Sequence, residues 1–194
     1  EVVIGGNADE YSDTDPSALT DFRPALDPYG NWVEDANYGT VWVPSPTVVG
    51  SDFAPYVTAG HWAYGDDYVW VSDYDWGWAP FHYGRWVNDP EDGWLWIPGY
   101  VWSPAWVIWR SNGRYVGWMP MPPDREFLYG GGPSFGISFG PVSLEFGNIG
   151  GYYGYAQWYG ADYDEDRFAR NWIFVGIGHI GDHDFRRYEA PRYD

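Results

Sequence analysis

Three aspartates at alternate positions, Asp162, Asp164 and Asp166, have the spacing that comes closest to a known metal-binding motif. The calcium loop of an EF-hand begins in this way. However, Arg167 stands where that loop requires glycine, and Ile173 stands where it requires the closing glutamate. The sequence therefore excludes an EF-hand. The three carboxylates remain a candidate oxygen-ligand site, with calcium as the candidate cation.

Other acidic residues cluster in predicted turns, at Asp66 and Asp67, at Asp73 and Asp75, and at Asp89, Glu91 and Asp92. Carboxylates at loop tips suit hard cations such as calcium, which prefer oxygen ligands. Solvated turn residues without a cation are the commoner explanation for such clusters. Both interpretations stay open at the level of sequence.

Histidines and acids also alternate near the C-terminus, at His179, Asp182, His183 and Asp184. Two histidines four residues apart bring both rings to one metal ion only when a helix carries them. Residues 176–181 contain three glycines and form a helix poorly. A surface turn capped by Asp182 is therefore the favoured interpretation.

No residue pattern predicts an enzyme. The chain has no cysteine, no lysine, no phosphate-binding loop and no dinucleotide fingerprint. The sequence Gly132-Pro133-Ser134-Phe135-Gly136 has the spacing of a hydrolase nucleophile motif, but it lies in a glycine-rich break instead of following a strand. We therefore expect a protein without catalytic activity and without a required cofactor.

Two tryptophan-rich loops are the strongest candidates for a binding surface. One carries Trp76 and Trp78, and the other carries Trp102 and Trp106. Exposed indole rings can stack on the flat apolar faces of sugars, as they stack on other planar groups. Alternatively, the same rings pack neighbouring hairpins together.

Composition limits the partners. The net charge is −18 and the pI is near 4.2, which argues against nucleic acid and anionic lipid because both need clustered positive charge. No apolar run approaches the ~20 residues that span a bilayer. The chain begins with Glu1 and not Met, so we expect a mature form that has lost its leader. The expected location is extracellular or the cell surface, with the periplasm as an alternative.

An internal repeat determines the predicted fold. Its leading tryptophans, Trp32, Trp62, Trp86 and Trp109, are 30, 24 and 23 residues apart, which accommodates one β-hairpin per unit. In each unit a strand precedes a turn rich in Asp, Asn and Gly, and a Val-Trp-Val type strand returns. His61 and His82 lie at or near the polar position of the repeat and are predicted to point outward.

The predicted fold is all-β, with repeated antiparallel β-hairpins forming a curved sheet or a barrel-like stack and short helices at the ends. Residues 1–25 form an acidic arm with a helix near 16–22 that Pro24 ends. Residues 26–123 form the hairpin-repeat domain. Residues 124–194 form a Gly/Tyr-rich β lobe, with a buried strand at 172–175 and a short helix within 182–188.

The repeat region also resembles a known family. The motifs that carry the resemblance are Leu26-Asp27-Pro28-Tyr29-Gly30-Asn31-Trp32, Trp76-Gly77-Trp78-Ala79-Pro80-Phe81-His82-Tyr83-Gly84-Arg85-Trp86 and Tyr115-Val116-Gly117-Trp118-Met119-Pro120. They are similar to those of exported Trp/Gly/Pro-rich proteins of Gram-negative bacteria that have no assigned function, some of which carry the region beside FecR-type domains. The resemblance covers residues 26–123. It implies export and supplies no catalytic residues.

Two functions are compatible with these observations. The first is a non-enzymatic structural protein that self-associates into a surface coat or fibre. In that case the β-prone Val2, Val3 and Ile4 of the acidic arm would add to a neighbour's sheet edge, and the basic end with Arg186 and Arg187 would attract the arm. The second is a glycan-binding module that uses Trp76, Trp78, Trp102 and Trp106.

Overall fold

The computed structural model describes residues 19–65, 67–111, 114–121 and 171–190. The predicted assembly residues Val2, Val3 and Ile4 and the aspartates Asp162, Asp164 and Asp166 lie outside the described residues. In the part of the chain that is described, no helix has the length and apolar character needed to cross a membrane.

Nine strands make up most of the regular secondary structure of the described residues. They are β1 (Gly30–Asp35), β2 (Gly39–Pro44), β3 (Gly60–Tyr64), β4 (Tyr68–Ser72), β5 (Arg85–Asp89), β6 (Gly93–Ile97), β7 (Val107–Ser111), β8 (Tyr115–Pro120) and β9 (Ile173–Gly176). The first eight pair as four antiparallel hairpins, one for each predicted repeat unit. The leading tryptophan of every unit pairs across the ladder with the tryptophan of the return strand: Trp32 with Trp42, Trp62 with Trp70, Trp86 with Trp96, and Trp109 with Trp118.

In the first three hairpins, the glycine two residues before the leading tryptophan leaves room for the indole ring of the return strand. A Cβ atom on Gly30 would lie 2.3 Å from the Val43 carbonyl oxygen and 2.5 Å from the Trp42 ring. Gly60 lies under Trp70, and Gly84 under Trp96, at comparably short distances. The Gly-x-Trp spacing of the repeat therefore has a packing cause, because only glycine allows the ring to lie on the opposite strand's backbone.

Two of the hairpins close with the same turn. The last residue of the first strand, Asp35 or Asp89, accepts hydrogen bonds from backbone N–H groups two and three residues further on, at 2.7–3.1 Å. Gly39 and Gly93 then take positive φ angles of 72° and 76°. These turns use the carboxylate as a backbone acceptor, as aspartate commonly does in turns.

The hairpins assemble into three open sheets. The first and third hairpins join into a four-stranded sheet of order β1-β2-β6-β5, in which Trp42 pairs with Trp96. The second hairpin, β3–β4, is a two-stranded sheet, and β9 adds to β8 to form the sheet β7-β8-β9. The predicted all-β fold of antiparallel hairpins is confirmed, and its sheets are open instead of closing into a barrel.

Helices are short, and their positions correct two sequence-based expectations. Helix α1 (Leu19–Leu26) continues through Pro24 instead of ending before it. Proline does not end this helix because Leu26, two residues later, is fully buried and holds the last turn in the core. A second helix, α2 (Pro46–Val49), lies between β2 and β3 and not at an end of the chain. Proline at its start and Gly50 at its end, with φ 86°, account for its single turn.

The C-terminal segment 171–190 belongs to the same packed structure as the repeat region. Strand β9 confirms the predicted buried strand and pairs with β8 from Trp118 to Tyr115. A 3-10 helix, Phe185–Tyr188, forms within the predicted range 182–188. Its Phe185 is 1% exposed and packs edge-on against Trp118, with ring centroids 5.3 Å apart.

The core is mainly aromatic. Six tryptophans of the repeat are nearly or fully buried, namely Trp42, Trp62, Trp70, Trp86, Trp96 and Trp118. Tyr56 lies among them with a positive φ of 60°, and its hydroxyl donates to the Phe81 carbonyl oxygen at 3.1 Å. The same hydroxyl accepts from the Trp106 backbone N–H at 3.2 Å. Burial raises the pKa of Tyr56, so the residue stays neutral and links loops that enclose the core.

Candidate functional site

Three aromatic side chains in the connectors after β4 and β6 are exposed: Trp78, Tyr100 and Trp102, at 51%, 42% and 55%. Val101, between the last two, is 43% exposed. Exposed large apolar side chains can mark a contact site when they share a surface. We use the name aromatic surface for these three rings below.

Trp78 and Tyr100 flank the same buried ring. Phe22 of α1 is 4% exposed, and its centroid lies 5.8 Å from Trp78 and 6.4 Å from Tyr100. Trp78 is carried by the tight connector after β4, where a Cβ on Gly77 would lie 2.3 Å from Ser72 Oγ. The connector is thus fixed against β4, and the exposed ring is supported from below by α1.

Trp102 rests on the imidazole of His82. The two rings are stacked at 5.7 Å with an interplanar angle of 17°. Nδ1 of His82 lies 3.0 Å from the Ser103 carbonyl oxygen, and the Ser103 N–H donates to the His82 carbonyl oxygen at 2.9 Å. Burial lowers the pKa of His82, so the imidazole is neutral at pH 7. A neutral ring and two backbone contacts therefore hold the loop that presents Trp102.

The other two tryptophans predicted for this surface are buried. Trp76 and Trp106 are each 3% exposed. Trp76 packs between Trp42 and Tyr74, at 5.1 Å and 4.5 Å between centroids. Trp106 lies under the Arg85 guanidinium at 3.6 Å and donates from Nε1 to the His82 carbonyl oxygen at 3.1 Å. Each loop therefore has one ring inside and one outside, which sequence spacing alone does not distinguish.

The candidate metal ligands of the sequence are rearranged by the fold. His179 stacks on Tyr188 at 3.6 Å, and its Nδ1 lies 2.8 Å from Asp182 Oδ2. His183 does not join them. Its ring stacks on His61, 4.5 Å away, and its Nε2 is 4.0 Å from Asp73 Oδ1.

His61, Asp73 and His183 form the one group of three or more potential metal ligands within the described residues, with ligand atoms within 4.8 Å of one another. Sequence reasoning missed this group because its members are far apart in the chain. His61 nevertheless replaces the Asn31 and Arg85 of the neighbouring repeats, and this difference is the one sequence signal for it.

The predicted assembly arginines both take part in surface ion pairs of this chain. Arg186 Nη1 lies 3.2 Å from Asp52 Oδ2, and Arg187 Nη1 lies 3.0 Å from Asp184 Oδ2. All four side chains are largely exposed, so each pair contributes little to stability. Both arginines already have an acidic neighbour.

Comparison with known families matches residues 23–125 to a family of unknown function, DUF6600. The chain belongs to this family. The matched range contains all four hairpins and the whole aromatic surface, whereas β9 lies beyond it. No curated protein and no solved structure matches the chain.

Proposed function

We propose that this chain is a non-catalytic carbohydrate-binding protein that acts outside the cytoplasm and holds a polysaccharide on Trp78, Tyr100 and Trp102. The observation that carries the proposal is the exposure of these three rings, each supported by a buried or half-buried aromatic partner. Rings that are already positioned lose little side-chain freedom on binding, which favours affinity.

Sugar is the ligand class that such a surface fits best. The C–H faces of a pyranose ring are flat and apolar, and they cover an indole face while the hydroxyl groups stay in water. Tyrosine and tryptophan combine ring area with a polar atom, so they suit a partner that is itself partly polar. The net charge of −18 opposes anionic ligands and favours a neutral or amino sugar polymer.

The test is affinity electrophoresis and a glycan array with four proteins: wild type, Trp78→Ala, Trp102→Ala and Tyr64→Ala. Tyr64 is the matched control, because it is 73% exposed and lies at the tip of the β3–β4 hairpin. We expect each tryptophan variant to bind at least about tenfold more weakly, as for a central aromatic contact. Tyr64→Ala should bind like wild type.

The proposal fails if wild type binds no polysaccharide, or if all three variants lose affinity equally. Circular dichroism and a melting curve for each variant separate a lost contact from a lost fold. Trp78 and Trp102 are half exposed, so their removal should leave both measurements close to wild type.

Self-association is a second candidate function, and the open sheets favour it. In the described part of the chain, β1 and β5 are the outer strands of the four-stranded sheet. An outer strand can pair with another chain, but β1 carries Glu34 and Asp35, which repel a second acidic copy. Assembly should therefore increase with salt. Deleting residues 1–12 should abolish it, because this segment contains the Val2, Val3 and Ile4 that would add to a neighbour's sheet edge. Electron microscopy and sedimentation at low and high salt measure assembly of both proteins. Unchanged assembly after the deletion would show that the N-terminal arm has no role in it.

A further inference from the structure

We propose that His61, Asp73 and His183 form a binding site for a divalent transition-metal ion of the zinc type. Two imidazoles and one carboxylate are a donor set that zinc uses in proteins. The site is independent of the aromatic surface and of the carbohydrate proposal.

The β3–β4 ladder brings the first two ligands together. His61 pairs with Val71, and Gly60 pairs with Ser72. Beyond the strands, the Asp73 N–H donates to the Ala59 carbonyl oxygen at 2.8 Å, so the antiparallel pairing continues by one residue. Because side chains alternate, His61 and Asp73 lie on the same face of the hairpin as diagonal neighbours. The buried Trp62 and Trp70 lie on the opposite face.

The C-terminal segment supplies the third ligand. Phe185 is fixed in the core between Trp70 and Trp118, with centroids 6.3 Å and 5.3 Å away. The turn that precedes it is held by a hydrogen bond from the Phe185 N–H to the Asp182 carbonyl oxygen at 3.2 Å. This anchoring places His183 over His61, with an angle of 29° between the ring planes.

The ligand atoms are close enough for one ion after a small adjustment. A tetrahedral zinc site requires ligand atoms about 3.3 Å apart, given bond lengths of about 2.0–2.1 Å. In the structure, the potential ligand atoms of the three residues lie within 4.8 Å of one another, so they must move closer together to bind one ion. The side chains of His183 and Asp73 are 69% and 49% exposed, so both can rotate inward without repacking the core.

An unpartnered buried nitrogen gives an independent reason for a ligand here. Nδ1 of His61 is buried and has no hydrogen-bond partner. Burying a polar atom without a partner is costly, and a metal ion bound at this nitrogen would relieve that cost. The hairpin therefore holds a histidine with one buried ring nitrogen that has no hydrogen-bond partner.

A cleft of about 420 Å³ is lined by two of the three ligands, Asp73 and His183, and by Gly60, the residue next to His61. Three protein ligands leave one position of a tetrahedral ion open, and the cleft gives water access to it. A bound ion would link β3–β4 to the C-terminal segment, which lies more than a hundred residues away in the chain. Because the ligands are assembled only in the folded protein, metal binding should stabilise the fold.

The experiment uses tag-free full-length protein that has been treated with a chelator and dialysed. Calorimetric titration with Zn²⁺ at neutral pH should give about one site per chain, and Zn²⁺ should raise the melting temperature. His183→Ala and Asp73→Asn should weaken binding at least about tenfold and remove the thermal shift. His183 and Asp73 are both exposed, so these variants should fold as wild type does, which circular dichroism checks.

His179→Ala is the matched control, because His179 lies in the same segment and has an acidic neighbour, yet is not one of the three ligands. It should bind Zn²⁺ like wild type. Substitution with Co²⁺ adds a direct readout, since a tetrahedral site gives a visible absorption band that His183→Ala should abolish. Absent binding by wild type, or equal losses in His179→Ala and His183→Ala, would overturn the proposal.

Discussion

At the scale of single residues, His82 is the group whose environment most directly affects the aromatic surface. Its ring supports Trp102, and burial lowers its pKa below the ordinary value of 6.5. The unfolded chain therefore binds a proton at a higher pH than the folded chain does. The stabilisation that His82 contributes is complete above pH 6.5 and is lost as the pH falls through the lowered pKa.

This sign predicts how His82→Gln should behave. Above pH 7 the variant should be less stable than wild type, because the stacked ring is lost. Near pH 5 the difference in the free energy of unfolding between wild type and variant should be smaller. At that pH, wild type must either protonate the buried His82 ring or lose its stacking on Trp102. Urea unfolding followed by tryptophan fluorescence at both pH values measures the two differences. A stability difference of the same size at both pH values would show that His82 does not titrate with a lowered pKa.

At the scale of the hairpin, the glycine two residues before the leading tryptophan of the first three hairpins is the element's most constrained position. In Gly60→Ala the new Cβ would lie 2.5 Å from the Val71 carbonyl oxygen and 2.6 Å from the Trp70 ring. Neither the ladder nor the buried indole can move far, so we expect a loss of about 1–3 kcal/mol in the free energy of unfolding. Urea denaturation measures it.

Gly65→Ala is the control within the same hairpin, because its Cβ would meet nothing within 4 Å. A surface change of this kind should stay within about 0.5 kcal/mol of wild type. Equal losses in the two variants would mean that glycine's flexibility, and not the approach of the indole, explains the repeat.

The hairpins could be predicted because every force that forms them is local. Alternation, turn residues and the Gly-x-Trp spacing all lie within one repeat unit, and the paired tryptophans follow from that register. The joining of β2 to β6 through Trp42 and Trp96 could not be predicted, since it omits the second hairpin. It depends on how the connectors turn, and no residue type in them specifies a direction.

The candidate sites also contain a part that the sequence predicts and a part that depends on long-range packing. The sequence named Trp78 and Trp102, but it could not separate them from Trp76 and Trp106, because burial depends on what packs beneath each loop. It also considered His183 as a metal ligand together with His179, but favoured a surface turn for this stretch. The contact of His183 with His61 arises only when the C-terminal segment reaches the second hairpin.

At the scale of the whole molecule, the four hairpins are completed by a segment that lies beyond the family match. The family covers residues 23–125, whereas β9 is at Ile173–Gly176. Strand β9 covers the edge of β8, and the Ala190 N–H donates to the Phe174 carbonyl oxygen at 2.7 Å, which holds the segment's end in place. The repeat region therefore packs against a segment outside the family match.

Phe185 is the side chain that secures this arrangement, so Phe185→Ala should loosen the segment from the hairpins. Removing a buried phenylalanine typically costs about 3–5 kcal/mol, and here the rings of Trp70 and Trp118 would also lose a neighbour. Because the chain has no lysine, trypsin cuts only after arginine, and Arg186 and Arg187 directly follow the mutated position. Limited proteolysis followed by mass spectrometry should therefore show much faster cleavage after these two arginines.

Tyr188→Ala is the control variant. Tyr188 lies in the same 3-10 helix but is 42% exposed, so this variant should be cleaved at the wild-type rate. Equal rates in all three proteins would show that the segment is held by β9 alone.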